Sequence, residues 1–584
     1  MSRLVALLFL ATQGILMGQE VAPVLDISDG WKFRTGDGAD HSRIELDESA
    51  WRPIETGRGW EDQGYPDYDG YAWYRLRFTV PEEWKEHDSF IERGALAVDL
   101  GRIDDVDETW FNGVKIGSTG SFPGKYEPAW QIPRRYVVPS ELIRWGAENV
   151  LAVRVYDGAQ SGGMCSGACS LSIAAWADLL KLEFDLQGTD GTFEHEGAAE
   201  VGVRIRNVSS KAVEGHLRWT VHSDEGDLIG AVPETPRFEL SPGGGRRLTQ
   251  PFDLSQPGFY RVDCEWILAG GIEGSAKSMI IGYRPLDVAS PLTKEKDFEA
   301  FWMETRAQLS GVDPQFEVVR VPNRDSETHQ VFEVRMRSLG GVRVGGWYEQ
   351  PKGIDSKKVP AVLRVPGYGS NMAPTGRAER FAFFSFNVRG HGNSQDDVKG
   401  TPQNFWIRGL DDKDGYYYRG AYADCMRALD FLVTRPEVDI ARIAITGGSQ
   451  GGGLSLATAA LDDRIALCAP DIPFLCDWRK YFKASKWPEI DQWIAAKEER
   501  SWESTLRTMS YFDALNLADR IKCPVFLGIG LQDAVCPAHT IFAVYNRLVG
   551  ERSYRIYPRA EHRVGSGHED LRYRWLNEQF QKGR

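Results

Sequence analysis

Hydrophobic and polar residues alternate along most of the first half of the chain. Between residues 21 and 176 they form short runs such as Tyr71–Val80 and Val150–Tyr156, separated by turn-forming residues. Alternation at period two is typical of half-buried antiparallel β-strands. A second group of alternating runs, from 179 to 283, predicts about seven short strands, as in an immunoglobulin-like sandwich. The first half is therefore predicted to form two all-β domains.

The pattern changes from about Thr293, where short apolar runs alternate with amphipathic segments. A helix is predicted at 422–432, and strands at 360–365, 381–388, 442–445, 524–529 and 554–557. Buried strands that alternate with helices indicate a mostly parallel sheet covered on both faces. The predicted fold is therefore multidomain, with two N-terminal all-β domains followed by an α/β domain.

The N-terminus is predicted to be a signal peptide. Arg3 precedes the apolar run Leu4–Ala11, and small Gly18 suits a cleavage point. The run is too short to span a bilayer, although an uncleaved anchor is an alternative. The predicted division is a signal peptide at 1–18, β-domains at 19–178 and 179–284, and the α/β domain at 285–584. The protein is then secreted or periplasmic, with no membrane association after cleavage.

Composition narrows the range of partners. The 584 residues carry a formal net charge of −14 at pH 7, which argues against binding a nucleic-acid backbone. Eight cysteines in so long a chain are no disulfide scaffold. Cys165 and Cys169 are close enough in sequence to pair after export, but two free thiols fit equally well.

No metal site is predicted from the sequence. No second Cys or His pair has the spacing of a zinc site. The aspartates Asp104, Asp105 and Asp107 lack the glycine and final glutamate of an EF-hand calcium loop, so they are expected to form a solvated turn.

A candidate nucleophile lies between a predicted strand and a predicted helix. Gly447 to Gly451 match G-x-S-x-G with Ser449 at the centre, directly after strand 442–445. In a strand–turn–helix context this motif forms a sharp turn that exposes the serine, and the flanking glycines avoid clashes. The helix N-terminus then favours a developing anion near Ser449. The alternative is an ordinary glycine-rich turn.

A serine hydroxyl needs a base, and the base needs an acid that orients it. In this arrangement the acid follows the serine along the chain, and the histidine follows the acid. Asp533 follows strand 524–529 as the candidate acid, unless it merely caps the next helix. His562 follows strand 554–557 as the candidate base, and His568 is the alternative base. His539 comes too early, and each histidine could instead simply be exposed to solvent.

A tetrahedral intermediate needs two donors for its oxyanion. The backbone N–H of Gln450, which follows the candidate nucleophile, is the first. The segment 365–370 follows an earlier strand and offers the N–H of Tyr368 as the second. A simple turn at this Gly-Pro-containing segment is the alternative.

Several motifs of the α/β half occur together in order. They are the segments at 301–305, 366–369, 389–392, 416–428, 447–453 and 530–537. Most of residues 285–584 thereby resembles the acetyl xylan esterase and cephalosporin-C deacetylase family of α/β-hydrolases. The resemblance implies a triad of Ser449, Asp533 and His562, oxyanion N–H groups from Gln450 and Tyr368, and acetylated sugars as substrates. It also implies no metal or organic cofactor.

The sequence departs from that family at two positions. Arg-Gly-Gln-Gly of the family becomes Arg-Gly-His-Gly with His391, and His-Glu-Gly-Gly becomes His-Arg-Val-Gly after His562. The first affects local packing and the second the rim of the site. Trp478 and Trp487 lie in a segment between nucleophile and acid. They are candidates for stacking on sugar rings, or else belong to the core.

Residues 25–176 resemble the sugar-binding, galactose-binding-like jelly roll of family-two glycoside hydrolases and sialate O-acetylesterases. The resemblance rests on segments 72–78, 101–113, 134–139 and 149–157, which include an Asp-Asp…Trp-x-Asn-Gly stretch. Carboxylates and exposed aromatic rings suit sugar binding. A purely architectural domain is the alternative.

The combined prediction is an exported serine esterase that removes acetyl groups from carbohydrate. The natural glycan and the oligomeric state are left open. A serine peptidase of the same fold and a non-catalytic carbohydrate-binding protein are the alternatives. The deacetylase-type motifs argue against the first, and the complete set of Ser449, Asp533 and His562 argues against the second.

Overall fold

The computed structural model describes residues 22–582 except 160, 187, 196, 198, 233–236, 355–356, 399, 401 and 566. The predicted signal peptide at 1–18 lies outside the described residues. Within the described ranges, no helix is long and apolar enough to cross a membrane.

The first region is a two-layer β-sandwich. One sheet has the order β1-β11-β5-β10 with β8 beside β5, and the other β3-β2-β4-β9-β6-β7. Their inner faces enclose a core that includes Trp31, Phe33, Trp60 and Tyr74. The elements are β1 (Val24–Asp26), β2 (Lys32–Thr35), β3 (Arg52–Pro53), β4 (Gly70–Thr79), α1 (Asp88–Arg93), β5 (Ala95–Asp104), β6 (Val106–Phe111), β7 (Val114–Thr119), β8 (Pro133–Pro139), β9 (Glu148–Asp157), β10 (Gly163–Ser166) and β11 (Ser170–Ile173).

The second region is another β-sandwich, in which sheet β12-β14-β18 faces sheet β13-β20-β19-β15-β16 with β17 beside β15. Both sheets contribute to a core around the fully buried Trp219. The elements are α2 (Trp176–Leu179), β12 (Leu180–Asp185), β13 (Thr192–Phe193), β14 (Ala199–Asn207), β15 (Val213–Ser223), β16 (Leu228–Val232), β17 (Arg237–Leu240), β18 (Gly245–Phe252), β19 (Gly258–Leu268) and β20 (Lys277–Tyr283).

The third region is built on one sheet in the order β21-β22-β23-β25-β24-β26-β27-β28-β29. Pairing is antiparallel from β21 to β25 and parallel from β25 through β24 to β29. The strands are β21 (Glu317–Arg320), β22 (His329–Arg337), β23 (Arg343–Pro351), β24 (Val359–Arg364), β25 (Ala382–Asn387), β26 (Val438–Gly448), β27 (Ile465–Asp471), β28 (Val525–Gly530) and β29 (Arg552–Tyr557).

Helices cover both faces of this sheet, because its strands are apolar on both sides. The large core packs α3, α4, α5 and α10 against one face, and Tyr573, Leu576 and Phe580 of α11 pack against the other. The helices are α3 (Phe298–Ser310), α4 (Tyr417–Thr434), α5 (Gln450–Leu461), α6 (Trp478–Ala484), α7 (Pro488–Ala495), α8 (Trp502–Ser510), α9 (Ala514–Leu517), α10 (Ala538–Tyr545) and α11 (His568–Lys582).

The second sandwich packs directly against the α/β region. Lys480 of α6 forms ion pairs with Asp224 at 2.8 Å and Glu225 at 2.7 Å, both in the turn between β15 and β16. Phe259 of β19 meets Phe542 of α10 with ring centroids 5.4 Å apart. The contact therefore combines an apolar centre with buried or half-buried charges.

The expectation of a solvated turn at Asp104, Asp105 and Asp107 is wrong. Asp107 is fully buried and its Oδ1 accepts a hydrogen bond from Nε of Arg134 at 2.9 Å, and Arg134 is equally buried. Asp105 is buried as well. Asp107 pairs with Arg134, which lies 27 residues away in the sequence, and local spacing does not reveal such a partner.

All eight cysteines are free thiols. Cys165 is half-buried and Cys169 is buried, without a bond between them, so the alternative of two free thiols holds. Burial raises the pKa of Cys169 to about 12.

Replacing Arg134 with methionine is expected to destabilise the first sandwich. The variant leaves Asp107 buried without its partner, and breaking a buried pair in this way costs about 3–5 kcal/mol. The free energy of unfolding, measured in urea, checks this. Arg135→Met is the matched control, because the exposed pair of Arg135 with Asp178 contributes about 0–1 kcal/mol. Equal losses in the two variants would contradict the expectation.

Candidate active site

Ser449 lies on a tight bend between β26 and α5. Its backbone has a positive φ, with φ 57° and ψ −119°, a conformation that non-glycine residues rarely adopt. Glycine is required on both sides: a Cβ on Gly447 would lie 2.7 Å from the carbonyl oxygen of Val365, and one on Gly451 2.5 Å from it. The predicted strand–turn–helix context of Ser449 is thus present.

The structure brings Ser449, His562 and Asp533 together in one chain of hydrogen bonds. His562 Nε2 lies 3.0 Å from Ser449 Oγ, and its Nδ1 lies 2.8 Å from Asp533 Oδ2. The acid is itself held, since its Oδ1 accepts hydrogen bonds of 2.8 Å from the N–H groups of Val535 and Cys536. Asp533 is buried, whereas the His562 side chain is about one-third exposed. This arrangement can move a proton from the serine hydroxyl to the imidazole.

The two predicted oxyanion donors flank the same bend. Gln450 is the first residue of α5, so its N–H has no partner within the helix. Its side chain is fixed by the Tyr418 hydroxyl, which donates to Gln450 Oε1 at 2.9 Å. The segment carrying Tyr368 runs alongside, since a Cβ on Gly367 would lie 3.4 Å from the Gly448 carbonyl oxygen. Gln450 and the segment that carries Tyr368 therefore lie beside the Ser449 bend, and the donor roles of their two N–H groups stay predictions.

His391 supports the segment that carries Tyr368. It is fully buried, and its Nδ1 lies 2.8 Å from the carbonyl oxygen of Ser370. Burial lowers the pKa of His391, so the neutral ring donates to this carbonyl. The histidine at this departure from the family motif thus ties the turn at Gly390–Gly392 to the loop that carries Tyr368.

His568, the alternative base, is engaged elsewhere. It is buried, with Nε2 2.8 Å from Asp471 Oδ1 and Nδ1 2.8 Å from the Tyr557 hydroxyl. Asp471 ends β27, and its carbonyl oxygen accepts the N–H of Ser449 at 3.0 Å. His568 therefore supports the bend indirectly, while His562 makes the direct contact.

The tryptophans proposed to stack on sugar separate in the structure. Trp478 is 1% exposed and packs on Phe474 and Phe482, so it has no surface to offer and the expectation for it is corrected. Trp487 is half-buried and lines a cavity of about 640 Å³ together with Trp502 and Lys483. Ser449, Asp533 and His562 do not line this cavity, so substrate contact by Trp487 stays a prediction.

Asp533, Cys536 and His562 have ligand atoms within 4.8 Å of one another, a spacing that would suit a metal ion. Asp533 and His562 already bond to each other, and His562 bonds to Ser449. Burial and the neighbouring Asp533 carboxylate hold the pKa of the Cys536 thiol well above its usual range. A neutral thiol is a poor metal ligand, so this group fits the serine chemistry better than a metal.

Gln532 is a site residue that the sequence did not reveal. Its Oε1 accepts from Ile280 N–H at 2.8 Å, and its Nε2 donates to the carbonyl oxygens of Ile280 at 3.1 Å and Pro558 at 2.7 Å. Ile280 belongs to β20 of the second sandwich, and Pro558 begins the loop that carries His562. One amide thus joins the acid loop, the base loop and the preceding domain. Its position next to Asp533 is a weak signal in the sequence, because its partner Ile280 lies 252 residues away.

These observations define a carboxylic ester hydrolase. Residues 283–579, just over half of the chain, match the family model described as Acetyl xylan esterase (AXE1), and the chain belongs to this family.

Individual relatives extend the comparison. Acetyl esterase Axe7A of Xylanibacter ruminicola is 27% identical over 365 residues, which cover 60% of this chain and 80% of the relative. The solved acetyl xylan esterase from Paenibacillus sp. R4 is 35% identical, with a TM-score of 0.48, covering 50% of this chain and 98% of its own. Beta-galactosidase BoGH2A of Bacteroides ovatus is 21% identical over 267 residues, which cover 41% of this chain and 28% of the relative. This match supports the resemblance of the N-terminal part to family-two glycoside hydrolases.

Replacing the two histidines is expected to have different effects. His562→Ala removes the imidazole that contacts Ser449, and should lower kcat by roughly 10³-fold or more. His568→Gln keeps a polar group near Asp471 and should retain at least about a tenth of kcat, with a lower melting temperature. Aryl acetate hydrolysis and thermal unfolding, measured on both variants, check this. A larger loss of kcat in His568→Gln than in His562→Ala would reverse the assignment.

Gln532→Ala is expected to lower kcat about 10-fold with a smaller change in KM. The loss of three hydrogen bonds frees the loops that hold Asp533 and His562, and small misplacements of reacting groups cost rate. Steady-state kinetics on an aryl acetate check this. Gln250→Ala, which removes an amide bonded to the adjacent Pro251 carbonyl, is the matched control. An unchanged kcat would show that these loops are positioned without the second sandwich.

Proposed function

We propose that this protein is an exported serine carbohydrate esterase that removes O-acetyl groups from acetylated sugars or polysaccharides. The observation that carries the proposal is the chain of hydrogen bonds from Asp533 through His562 to Ser449, at 2.8 and 3.0 Å. Membership of the acetyl xylan esterase family favours an acetylated carbohydrate as the substrate.

The first half of the reaction forms an acetyl-enzyme. Ser449 Oγ attacks the acetyl carbonyl carbon while His562 Nε2 takes the hydroxyl proton, and Asp533 stabilises the resulting imidazolium. The N–H groups of Gln450 and Tyr368 donate to the oxyanion of the tetrahedral intermediate. When the intermediate collapses, the bond from carbon to the sugar oxygen breaks, and His562 returns its proton to that oxygen.

The second half hydrolyses the acetyl-enzyme. His562 takes a proton from water, whose oxygen attacks the acetyl carbon, and the same two N–H groups stabilise the second intermediate. The bond to Ser449 Oγ then breaks, His562 returns the proton to the serine, and acetate leaves. No redox step is involved.

The domain assignment and location belong to the same proposal. We assign 1–18 as a signal peptide, 19–178 as a galactose-binding-like jelly roll, 179–284 as an immunoglobulin-like sandwich and 285–584 as the α/β-hydrolase. Separate hydrophobic cores in the three regions support this division. Export follows from the proposed signal peptide, and places the enzyme where polysaccharides are found.

Ser449→Ala is expected to lower kcat for acetate release by roughly 10³-fold or more, because the attacking oxygen is lost. The measurement is acetate release from acetylated xylan and hydrolysis of an aryl acetate. Ser118→Ala, at an exposed serine of β7, is the matched control and should keep full activity. An unchanged rate in Ser449→Ala would end the proposal.

Two further assays separate the alternative classes. A fluorophosphonate should label the native protein but not Ser449→Ala, whereas a non-catalytic binding protein would remain unlabelled. A panel of peptide amides should remain uncleaved at enzyme concentrations that hydrolyse acetyl esters. Cleavage of the amides at comparable kcat/KM would favour a peptidase.

A further inference from the structure

Three carboxylates converge at one end of the first sandwich, outside the candidate active site. Asp104 ends β5, Asp105 follows it, and Asp157 ends β9 of the opposite sheet. One oxygen from each lies within 4.8 Å of the others. Asp157 is fully buried, Asp105 is 7% exposed and Asp104 is half-buried. The group is thus mostly enclosed by protein and is not a patch of solvated surface acids.

Asp157 supplies an oxygen without a hydrogen-bond donor. Its Oδ1 accepts the N–H of Ala159 at 3.2 Å, but its Oδ2, although buried, has no hydrogen-bond partner within the described ranges. A buried carboxylate oxygen without a partner is costly. This oxygen belongs to the carboxylate that approaches Asp104 and Asp105, so a cation shared by the three would satisfy it.

The nearest positive charge is directed elsewhere. Arg134 uses Nε for the Asp107 carboxylate, and its Nη2 donates to the backbone carbonyl of Asp105 at 2.9 Å. Asp105 Oδ2 accepts from the Tyr126 hydroxyl and, at 3.0 Å, from the N–H of Gly158. These donors partly satisfy Asp105, whereas no cationic side chain within the described ranges forms an ion pair with Asp104 or Asp157.

The remaining neighbours add negative charge. Burial, followed by the Asp105 carboxylate, raises the pKa of Asp104 to about 7, against the opposing effect of Arg134. Burial, together with Asp105, Asp69 and Glu61, raises the pKa of Asp157 to about 7. The Cys165 thiol also lies near Asp104, and burial raises its own pKa.

We propose that Asp104, Asp105 and Asp157 form a Ca²⁺ site in the first sandwich. Carboxylate oxygens are the ligands that Ca²⁺ prefers, at about 2.3–2.6 Å. Two oxygens bound to one such ion lie at most about 4.6–5.2 Å apart, so the observed spacing fits. The ion ties the end of β5 to the end of β9 in the opposite sheet, which stabilises the sandwich and is independent of acetyl-ester hydrolysis.

The binding test uses the full chain after treatment with EDTA. Tb³⁺ serves as a luminescent probe excited through nearby aromatic rings, since the Tyr126 hydroxyl contacts Asp105. We expect sensitised Tb³⁺ emission that Ca²⁺ displaces, with a Ca²⁺ Kd of roughly 10⁻⁴–10⁻³ M, as in extracellular modules. Binding to the folded state should also raise the melting temperature of the first sandwich. The absence of both sensitised emission and a change in melting temperature would overturn the proposal.

Variants locate the ion. Asp157→Asn and Asp104→Asn keep the side-chain shape but remove a charged ligand, and each should weaken Ca²⁺ binding at least about 10-fold. Glu83→Gln, at an exposed position in the same sandwich, should bind like the native protein. If Asp157→Asn does not fold, the result for Asp104→Asn decides. Unchanged Ca²⁺ affinity in a folded Asp104→Asn or Asp157→Asn variant would refute the site.

Discussion

The positive φ of the backbone at Ser449 is the constraint on which the rest of the site depends. Such a conformation costs about 1–3 kcal/mol and persists when surrounding contacts fix it. Here the N–H of Ser449 donates to the Asp471 carbonyl at 3.0 Å, and the Ser449 carbonyl accepts the N–H of Phe474 at 2.9 Å. Asp471 is in turn held by His568 and Arg572 of α11. The final helix of the chain thus stabilises a bend that lies more than 100 residues earlier.

The acid and base come from loops at the edge of the sheet, where packing is normally weakest. β29 is the last strand of that sheet, and an edge needs a cover. The second sandwich holds the loops that follow β28 and β29: Arg559 donates to the Phe184 carbonyl at 2.7 Å, and the Gln532 amide bonds to Ile280. A domain without a reacting group therefore contributes to the rigidity on which proton transfer depends.

Local sequence was sufficient where the structure is set by local rules. The strand predicted at 524–529 is Val525–Gly530, and that at 554–557 is Arg552–Tyr557. The bend at Ser449 was predicted because glycine spacing and a following helix are short-range signals. The order of Ser449, Asp533 and His562 follows from strand order, so their meeting could be anticipated. Their roles remain proposals.

Long-range contacts were not predictable in the same way. Trp478 was a candidate for stacking on sugar rings, with a place in the core as the alternative, and it is packed between Phe474 and Phe482. Asp107 was expected in water, yet Arg134 pairs with it inside the sandwich. Burial of such residues is decided by partners that only the folded topology brings close, and sequence periodicity contains no information about which partner will arrive.

The state of the cysteines has a consequence for how the chain matures. Six of the eight are buried and none is bonded to another, and burial raises the pKa of thiols such as Cys468 and Cys476 well above the usual range. Thiols that stay protonated and inaccessible react slowly with oxidants. Folding of the described residues consequently requires no bond between cysteines.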